Sequence, residues 1–245
     1  MTLLLRTELF KLATTRSPWL LAAAAVGLTA ALALQPVLRA GRGGVPSIGT
    51  VGATLGVLDA MGRGALVALL LGVAVTTTDA RHRTISVRVL QTPGRWRLAT
   101  GQALTAVLVG LVVGVTCLAT VLAVGMASGA LQRGTVNADI AVRGGGLLLA
   151  YPLYALAGAG VGTLLGRNQA LAGILPVAWL LGLEALLVSR LPHEVRVWSL
   201  SGVTAAAQHA GDLPGVLPVW LGAGALLAYT LAVAGATRLH RADLT

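Results

Sequence analysis

Long apolar runs separated by short polar segments dominate the chain. Six runs meet or approach the length of about 20 residues that one helix needs to cross the hydrocarbon core of a bilayer. They cover about residues 18–38, 50–78, 98–126, 146–165, 170–188 and 217–237, and the second run begins somewhere between residues 50 and 64. The pattern predicts an all-α, polytopic membrane protein with six transmembrane helices and short loops, forming a single domain over residues 1–245.

Composition supports this class of protein. Hydrophobic residues make up 56% of the chain and charged residues only 11%, whereas soluble domains average about 25% charged residues. A soluble all-α fold of this size could not cover its surface with so few charges. The net charge of +10 would suggest a nucleic-acid partner in a soluble protein. Here the basic residues lie almost entirely between apolar runs, so we assign them to membrane topology and expect no nucleic acid.

The distribution of arginine and lysine predicts the orientation. With the N-terminus in the cytoplasm, eleven basic residues fall in inner segments and seven, including Arg63, in outer ones. Because short cytoplasmic loops carry the excess of basic residues, we expect a multi-pass plasma-membrane protein with both termini cytoplasmic. The stretch ALALQP resembles a signal-peptide cleavage site, but a long patterned segment precedes the first run and five more runs follow it.

The segment before the first apolar run is patterned as a helix. Leu5, Leu9 and Leu12 are spaced to lie on one helical face, and charged residues occupy the rest of the surface. An amphipathic helix of this kind lies well in a membrane interface, so we predict an interfacial helix over residues 1–17. The alternative is an ordinary basic tail that only sets topology. The charged residues assigned to the interfacial helix are Glu8, Lys11 and Arg16.

A strongly basic stretch, DARHRTISVRVLQTPGRWR, lies between the second and third apolar runs. Asp79 follows three threonines and is predicted to cap a new helix. Ile85 and Val89 give that helix an apolar face, and Pro93-Gly94 ends it. We therefore predict a cytosolic helix over residues 79–93 that suits docking into a groove on a partner protein. The alternative is that the arginines only keep this loop on the cytoplasmic side of the membrane. That role alone would not require a helix cap, an apolar face and a Pro-Gly stop.

Three short motifs resemble the permease subunits of type-2 ATP-binding-cassette (ABC) transporters, which export drugs, lipids and polysaccharide precursors. ELFKLATTRSPW (residues 8–19) resembles the start of those subunits, DARHRTISVRVLQTPGRW (79–96) is similar to their segment after the second span, and LHRADLT (239–245) looks like their tail. The chain departs from the family pattern at Asp79, where glutamate is usual, and at Arg83, where glycine is usual.

The resemblance implies a role for each segment. Residues 1–17 become the interfacial connecting helix, residues 79–93 become the coupling helix that meets a separate cytosolic ABC ATPase, and residues 189–216 become an extracytoplasmic loop with short re-entrant helices. Two permease chains, identical or different, would form a dimer with the substrate path at their interface. The residues expected to couple the permease to the ATPase are Asp79, Arg81, Thr84, Ile85, Arg88 and Val89.

The chain has no phosphate-binding loop of the GxxxxGK[ST] type, and its only lysine is Lys11. It is therefore not expected to be an enzyme by itself or to hold a cofactor; ATP and magnesium would be bound by the partner ATPase. His193, Glu194 and His209 match no metal-ligand spacing, so no metal site is predicted. The apolar spans favour a hydrophobic or amphiphilic substrate, and the excess of alanine, arginine and glycine suggests a high-GC bacterium.

Two further features and two rival functions stay open. Glu184, inside the fifth run, is a candidate for the translocation path or an outer gate because charges in membrane spans are costly; alternatively it is hydrated near the outer interface or pairs with Arg190. Gly158, Gly162 and Gly166 share one helical face, which predicts close helix packing. The rival functions are a non-transporting membrane anchor or sensor for a cytosolic ATPase, and an integral membrane enzyme.

Overall fold

The computed structural model describes residues 6–7, 10, 12–41, 47–81, 95–131 and 138–165, together with three single positions, 174, 178 and 190. The regular structure of this part of the chain is α-helical. It consists of four long helices: α1 (Arg16–Leu38), α2 (Val51–Arg81), α3 (Arg95–Ala127) and α4 (Ala138–Leu164). Near the ends of α2, α3 and α4, at residues 78–81, 95–99, 138–143 and 164, only the backbone is described.

Each of the four helices contains a stretch long and apolar enough to cross a membrane. These stretches are Arg16–Leu38, Val51–Thr77, Thr100–Ala127 and Gly144–Thr163. The first four predicted spans are therefore confirmed, and the second span begins at the early end of its predicted range. The predicted fifth and sixth spans, and the predicted outer loop at 189–216, lie outside the described residues.

Helix α2 is the most central of the four described helices. It contacts α1, α3 and α4, while α3 also contacts α1 and α4. In the most apolar stretch of α2, 72% of the residues are buried inside the protein. The corresponding share is 17% in α1 and 28% in α3. Helices α1 and α3 therefore turn broad apolar surfaces outward, with Leu20, Val112 and Met126 among the most exposed side chains. Surfaces of this kind suit contact with hydrocarbon rather than water.

Glycines bring the backbones of α2 and α4 into direct contact. A methyl group on Gly72 would overlap the carbonyl group of Ala155, and one on Gly158 would overlap the carbonyl group of Leu69. Gly162 fits in the same way against the side chain of Thr76. The close packing predicted from the glycine spacing in α4 is thus confirmed for Gly158 and Gly162, because only glycine leaves room for another backbone at this distance.

A tight turn closes α3 and ties it to the start of α2. Gly129 adopts φ +72°, a conformation that favours glycine. The chain then folds back, so that the Leu131 amide donates a 2.9 Å hydrogen bond to the carbonyl oxygen of Gly125. The Thr54 hydroxyl donates another, also 2.9 Å, to the carbonyl oxygen of Ala130. The first of these bonds satisfies a carbonyl group in the last turn of α3 that would otherwise lack a partner within the helix.

Candidate functional site

The segment before α1 is helical at each of its described positions, 6–7, 10 and 12–14. Thr15 is extended, with φ −92° and ψ 137°, and it separates this segment from α1. The indole of Trp19 donates a 3.1 Å hydrogen bond back across the break to the carbonyl oxygen of Ala13. Leu12, on the predicted apolar face, is buried. The position of this helix at a membrane surface stays a prediction.

The predicted boundary of the interfacial helix is wrong by a few residues. Arg16 is the first residue of α1 and is exposed, so it belongs to the first span rather than to a helix over 1–17. The break falls at Thr15 because Thr15 takes the extended conformation that residues preceding a helix adopt. Glu8 and Lys11 lie outside the described residues.

Helix α2 runs without interruption through Asp79 and is described as far as Arg81. The prediction that Asp79 caps a separate helix is therefore wrong. The threonines that suggested a cap bond within α2 instead: the hydroxyls of Thr76 and Thr77 donate to the carbonyl oxygen of Val73, at 3.1 Å and 2.8 Å. Threonine hydroxyls can be satisfied in this way without breaking a helix.

The rest of the predicted coupling helix lies outside the described residues, and this includes Thr84, Ile85, Arg88 and Val89. The described part of α2 reaches Arg81, and the described part of α3 begins at Arg95. Because α2 and α3 contact each other, the basic segment joins two neighbouring helices. The candidate Glu184 also lies outside the described residues.

A buried polar cluster joins all four helices at one point. The hydroxyl of Tyr151 in α4 donates a 2.8 Å hydrogen bond to the carbonyl oxygen of Met61 in α2. The hydroxyl of Thr29 in α1 donates to the sulfur of Cys117 in α3 at 3.6 Å. Gly64 of α2 lies against both hydroxyls, and a side chain there would collide with them. All of these side chains are fully buried.

The contacts within this cluster are hydrogen bonds. The hydroxyl groups of tyrosine and threonine donate here to a carbonyl oxygen and to a sulfur atom. Within the described residues no three metal-ligating side chains come together. Polar contacts between apolar helices hold their relative positions, so the cluster fixes the register of the four helices. A tyrosine within an apolar run is the signal that could have indicated the cluster, since a buried tyrosine usually needs a partner for its hydroxyl.

Helix α2 also carries two charged side chains that the sequence analysis did not place in a span. Asp59 and Arg63 lie one helical turn apart within the candidate span Val51–Thr77, and both are exposed. Arg63 had been counted among the outer loop residues; the structure corrects this, because α2 is already helical from Val51. Without Arg63 the outer segments hold six basic residues, and without Arg16, which lies in α1, the inner segments hold ten, so the difference between the two sides is unchanged.

Comparison with known proteins adds no relative. No protein-family model matches the chain, and no curated protein matches it significantly.

Proposed function

We propose that the chain is the membrane-spanning permease subunit of an ATP-binding-cassette exporter. It would move a hydrophobic or amphiphilic substrate outward across the plasma membrane, together with a second permease chain and cytosolic ATPase subunits. The proposal rests on the resemblance of residues 8–19 and 79–96 to type-2 permeases. It is also supported by the bundle of apolar helices, because residues 79–96 link two of them, α2 and α3.

The observation that carries the proposal is the position of α2. This helix contacts the three other described helices and is the most buried of the four, and the end of its described part contains Asp79 and Arg81, where the basic segment begins. A force applied to that segment would therefore act on the central helix of the bundle. Its close backbone contact with α4 at Gly72 and Gly158 would pass the displacement on, because packed interfaces do not deform continuously.

In this proposal the basic segment is the docking surface for the ATPase. Asp79, Arg81 and Arg88 make the polar contacts, and Ile85 and Val89 provide the apolar anchor, with Thr84 beside them. ATP binding closes the partner ATPase, which supplies the phosphoryl-transfer machinery, ATP and magnesium that this chain lacks. The spans then switch between inward-open and outward-open arrangements. Glu184 is proposed to lie on the translocation path or at the outer gate.

The test is to express the chain with a P-loop ATPase encoded beside its gene and to purify the tagged chain. We expect the ATPase to co-purify in a defined ratio. In proteoliposomes its ATP hydrolysis should rise when a transported amphiphile is added. A complex whose ATP hydrolysis no candidate substrate stimulates would instead favour the membrane anchor or sensor. Hydrolysis of ATP by the purified chain alone would contradict the proposal and favour an enzyme.

A further inference from the structure

The hydroxyl of Thr29 in α1 bonds across a helix interface. It donates to the sulfur of Cys117 in α3 at 3.6 Å. By contrast, the hydroxyls of Thr105 and Thr120 donate to carbonyl oxygens one turn earlier in their own helix, at 2.8 Å each. A threonine in a helix can therefore be satisfied in two ways, and Thr29 uses the one that depends on a second helix.

The contact between Thr29 and Cys117 lies near the middle of the membrane. Arg16 and Arg39 bound the apolar part of α1, and at 1.5 Å per residue Thr29 is about 20 Å from the first and about 15 Å from the second. At this depth no bulk water competes for hydrogen bonds. Because lipid is as apolar as leucine, close packing and polar contacts are what hold one helix against another.

The buried face of α1 is made of small side chains. Beyond Pro18 near its start, the buried residues of this helix are Ala25, Thr29 and Ala33, spaced by four. Gly64 of α2 lies against the Thr29 hydroxyl, and a methyl group on Gly64 would overlap it. Side chains as small as alanine gain little dispersion energy compared with leucine, and sulfur is a weak hydrogen-bond acceptor. The attachment of α1 along this face is therefore a weak one.

The second hydrogen bond of the cluster joins helices that are interlocked. The Tyr151 hydroxyl bonds to the carbonyl oxygen of Met61, between α4 and α2. These helices also meet backbone to backbone at Gly72 and Gly158, and Gly110 of α3 meets the backbone of α4 in the same way. The cluster thus has a fixed half within α2 and α4, and a half between α1 and α3 that a smaller change can break.

Both hydroxyls of the cluster keep a partner if α1 moves away. Tyr151 stays bonded to Met61, because both belong to the interlocked helices. Thr29 can turn its hydroxyl to the carbonyl oxygen of Ala25, one turn earlier in α1. The thiol of Cys117 behaves as a small apolar group. Release of α1 therefore leaves no hydroxyl without a hydrogen bond, which would be the main cost of separating polar groups in hydrocarbon.

We propose that the contact between Thr29 and Cys117 is a releasable latch for α1. In the closed state the Thr29 hydroxyl bonds to α3, and in the open state it bonds within α1 and α1 separates from Cys117. The latch is a two-state element, because one hydroxyl has a partner on either side and its rotation switches between them. The part of the latch in a transport cycle rests on the proposed function, whereas its opening does not.

The single cysteine of the chain reports on the latch directly. Cys117 is fully buried, so the small membrane-permeant reagent N-ethylmaleimide can reach it only when a neighbouring helix moves away. In the full-length chain in lipid nanodiscs, we expect slow modification of Cys117 and about fivefold faster modification in Thr29→Val. Valine keeps the shape of threonine and removes the hydroxyl, and a fivefold change corresponds to about 1 kcal/mol.

Thr105→Val is the matched control, because Thr105 is also fully buried and its hydroxyl bonds within α3. Its Cys117 should react at the wild-type rate. Loss of a donor to the sulfur would by itself slow the reaction, since the thiolate is the reacting form, so acceleration in Thr29→Val reports opening. Equal rates in Thr29→Val and the wild type, or equal acceleration in both variants, would overturn the proposal. So would a Cys117 that reacts only after denaturation.

A disulfide across the latch tests whether it has to open during transport. In Thr29→Cys, oxidation with copper phenanthroline should join residue 29 to Cys117, since the Thr29 Oγ1 and Cys117 Sγ atoms are 3.6 Å apart in the wild type. In the complex with its ATPase, the joined chain should lose transport by about tenfold or more and regain it on reduction, because α1 can no longer separate from α3. Thr29→Cys combined with Cys117→Ala is the control, since it cannot form the bond.

The outcomes separate the latch from the proposed function. A joined chain that transports as well as its reduced form would remove the latch from the transport cycle. A complex that is inactive in the reduced form as well would count against the proposed function, and the labelling rates would then decide on the latch alone. Failure of residue 29 to form the disulfide would contradict the contact itself.

Discussion

The hydroxyl of Tyr151 is hydrogen-bonded at 2.8 Å to the carbonyl oxygen of Met61, ninety residues away in the sequence. Met61 belongs to α2 and Tyr151 to α4, and the side chains of Thr29 and Cys117 complete the cluster from α1 and α3. A single buried hydroxyl therefore lies at the point where all four described helices meet. Its removal is the most direct test of whether polar contacts hold this bundle in register.

We expect Tyr151→Phe to lower the free energy of unfolding by about 1 kcal/mol, the usual scale for a hydrogen bond between membrane helices. The ring and its packing are kept, so the loss reports on the hydroxyl. Thermal unfolding in a mild detergent measures it. The control is Thr120→Val, because the Thr120 hydroxyl bonds only to the carbonyl oxygen of Thr116 in its own helix. Equal effects from both substitutions would contradict a special role for the cluster.

The contact between α2 and α4 makes a stronger prediction. Gly72→Ala should destabilise the protein by about 3 kcal/mol, since the new methyl group would force two backbones apart, and Gly158→Ala should do the same. Gly27→Ala is the matched control, because a methyl group there meets no atom within 4 Å. We expect that substitution to be neutral or stabilising by up to about 1 kcal/mol. Comparable losses at residues 27 and 72 would show that α2 and α4 are not in close contact.

The buried position of Leu12 predicts that the N-terminal segment is held against the rest of the protein. Leu12→Asp should release it at a cost of about 2 kcal/mol, the scale of burying one leucine side chain. Ala13→Asp is the control, because Ala13 is exposed. Hydrogen exchange of the amides at residues 12–14 measures the release. If exchange rises equally in the two variants, the segment is not held through Leu12.

The proposed docking of an ATPase predicts the effect of charge reversal. Combining Arg81→Glu with Arg88→Glu should reduce substrate-stimulated transport by about tenfold or more, as expected when charge pairs at an interface are reversed. ATP hydrolysis by the separate ATPase should persist.

Arg39→Glu is the control for this pair, since Arg39 is exposed beyond the last turn of α1, on the side proposed to face outward. Unchanged transport in the double variant would remove Arg81 and Arg88 from the coupling surface.

The sequence predicted four of these helices because the length of an apolar run can be read directly along the chain. It predicted their ends less well, since helical hydrogen bonding continues into polar residues. Helix α2 passes through Asp79 to Arg81, and α4 begins at Ala138, well before the apolar run from residue 146. The resemblance to type-2 permeases was visible in the sequence, but the coupling residues from Thr84 to Val89 lie outside the described structure.

The contacts between helices could not be predicted in the same way. The glycine spacing in α4 indicated a close-packed face, but Gly72 as its counterpart depends on how α2 and α4 meet. The cluster at Tyr151 joins residues that are far apart in the sequence, and a lone Cys117 in an apolar run had suggested nothing more than packing. Arg63 was assigned to a loop because the pattern alone did not show where the second helix begins.

The glycine contact between α2 and α4 also limits how this bundle can change shape. With carbonyl groups of one helix seated directly on Cα atoms of the other, neither helix can slide or roll without a steric clash. The pair must move as one rigid body. Helix α1 presents most of its surface away from the bundle, but the contact between Thr29 and Cys117 ties it to α3. A rearrangement of the described helices, such as the proposed transport cycle requires, would therefore leave the shape of the α2–α4 unit unchanged.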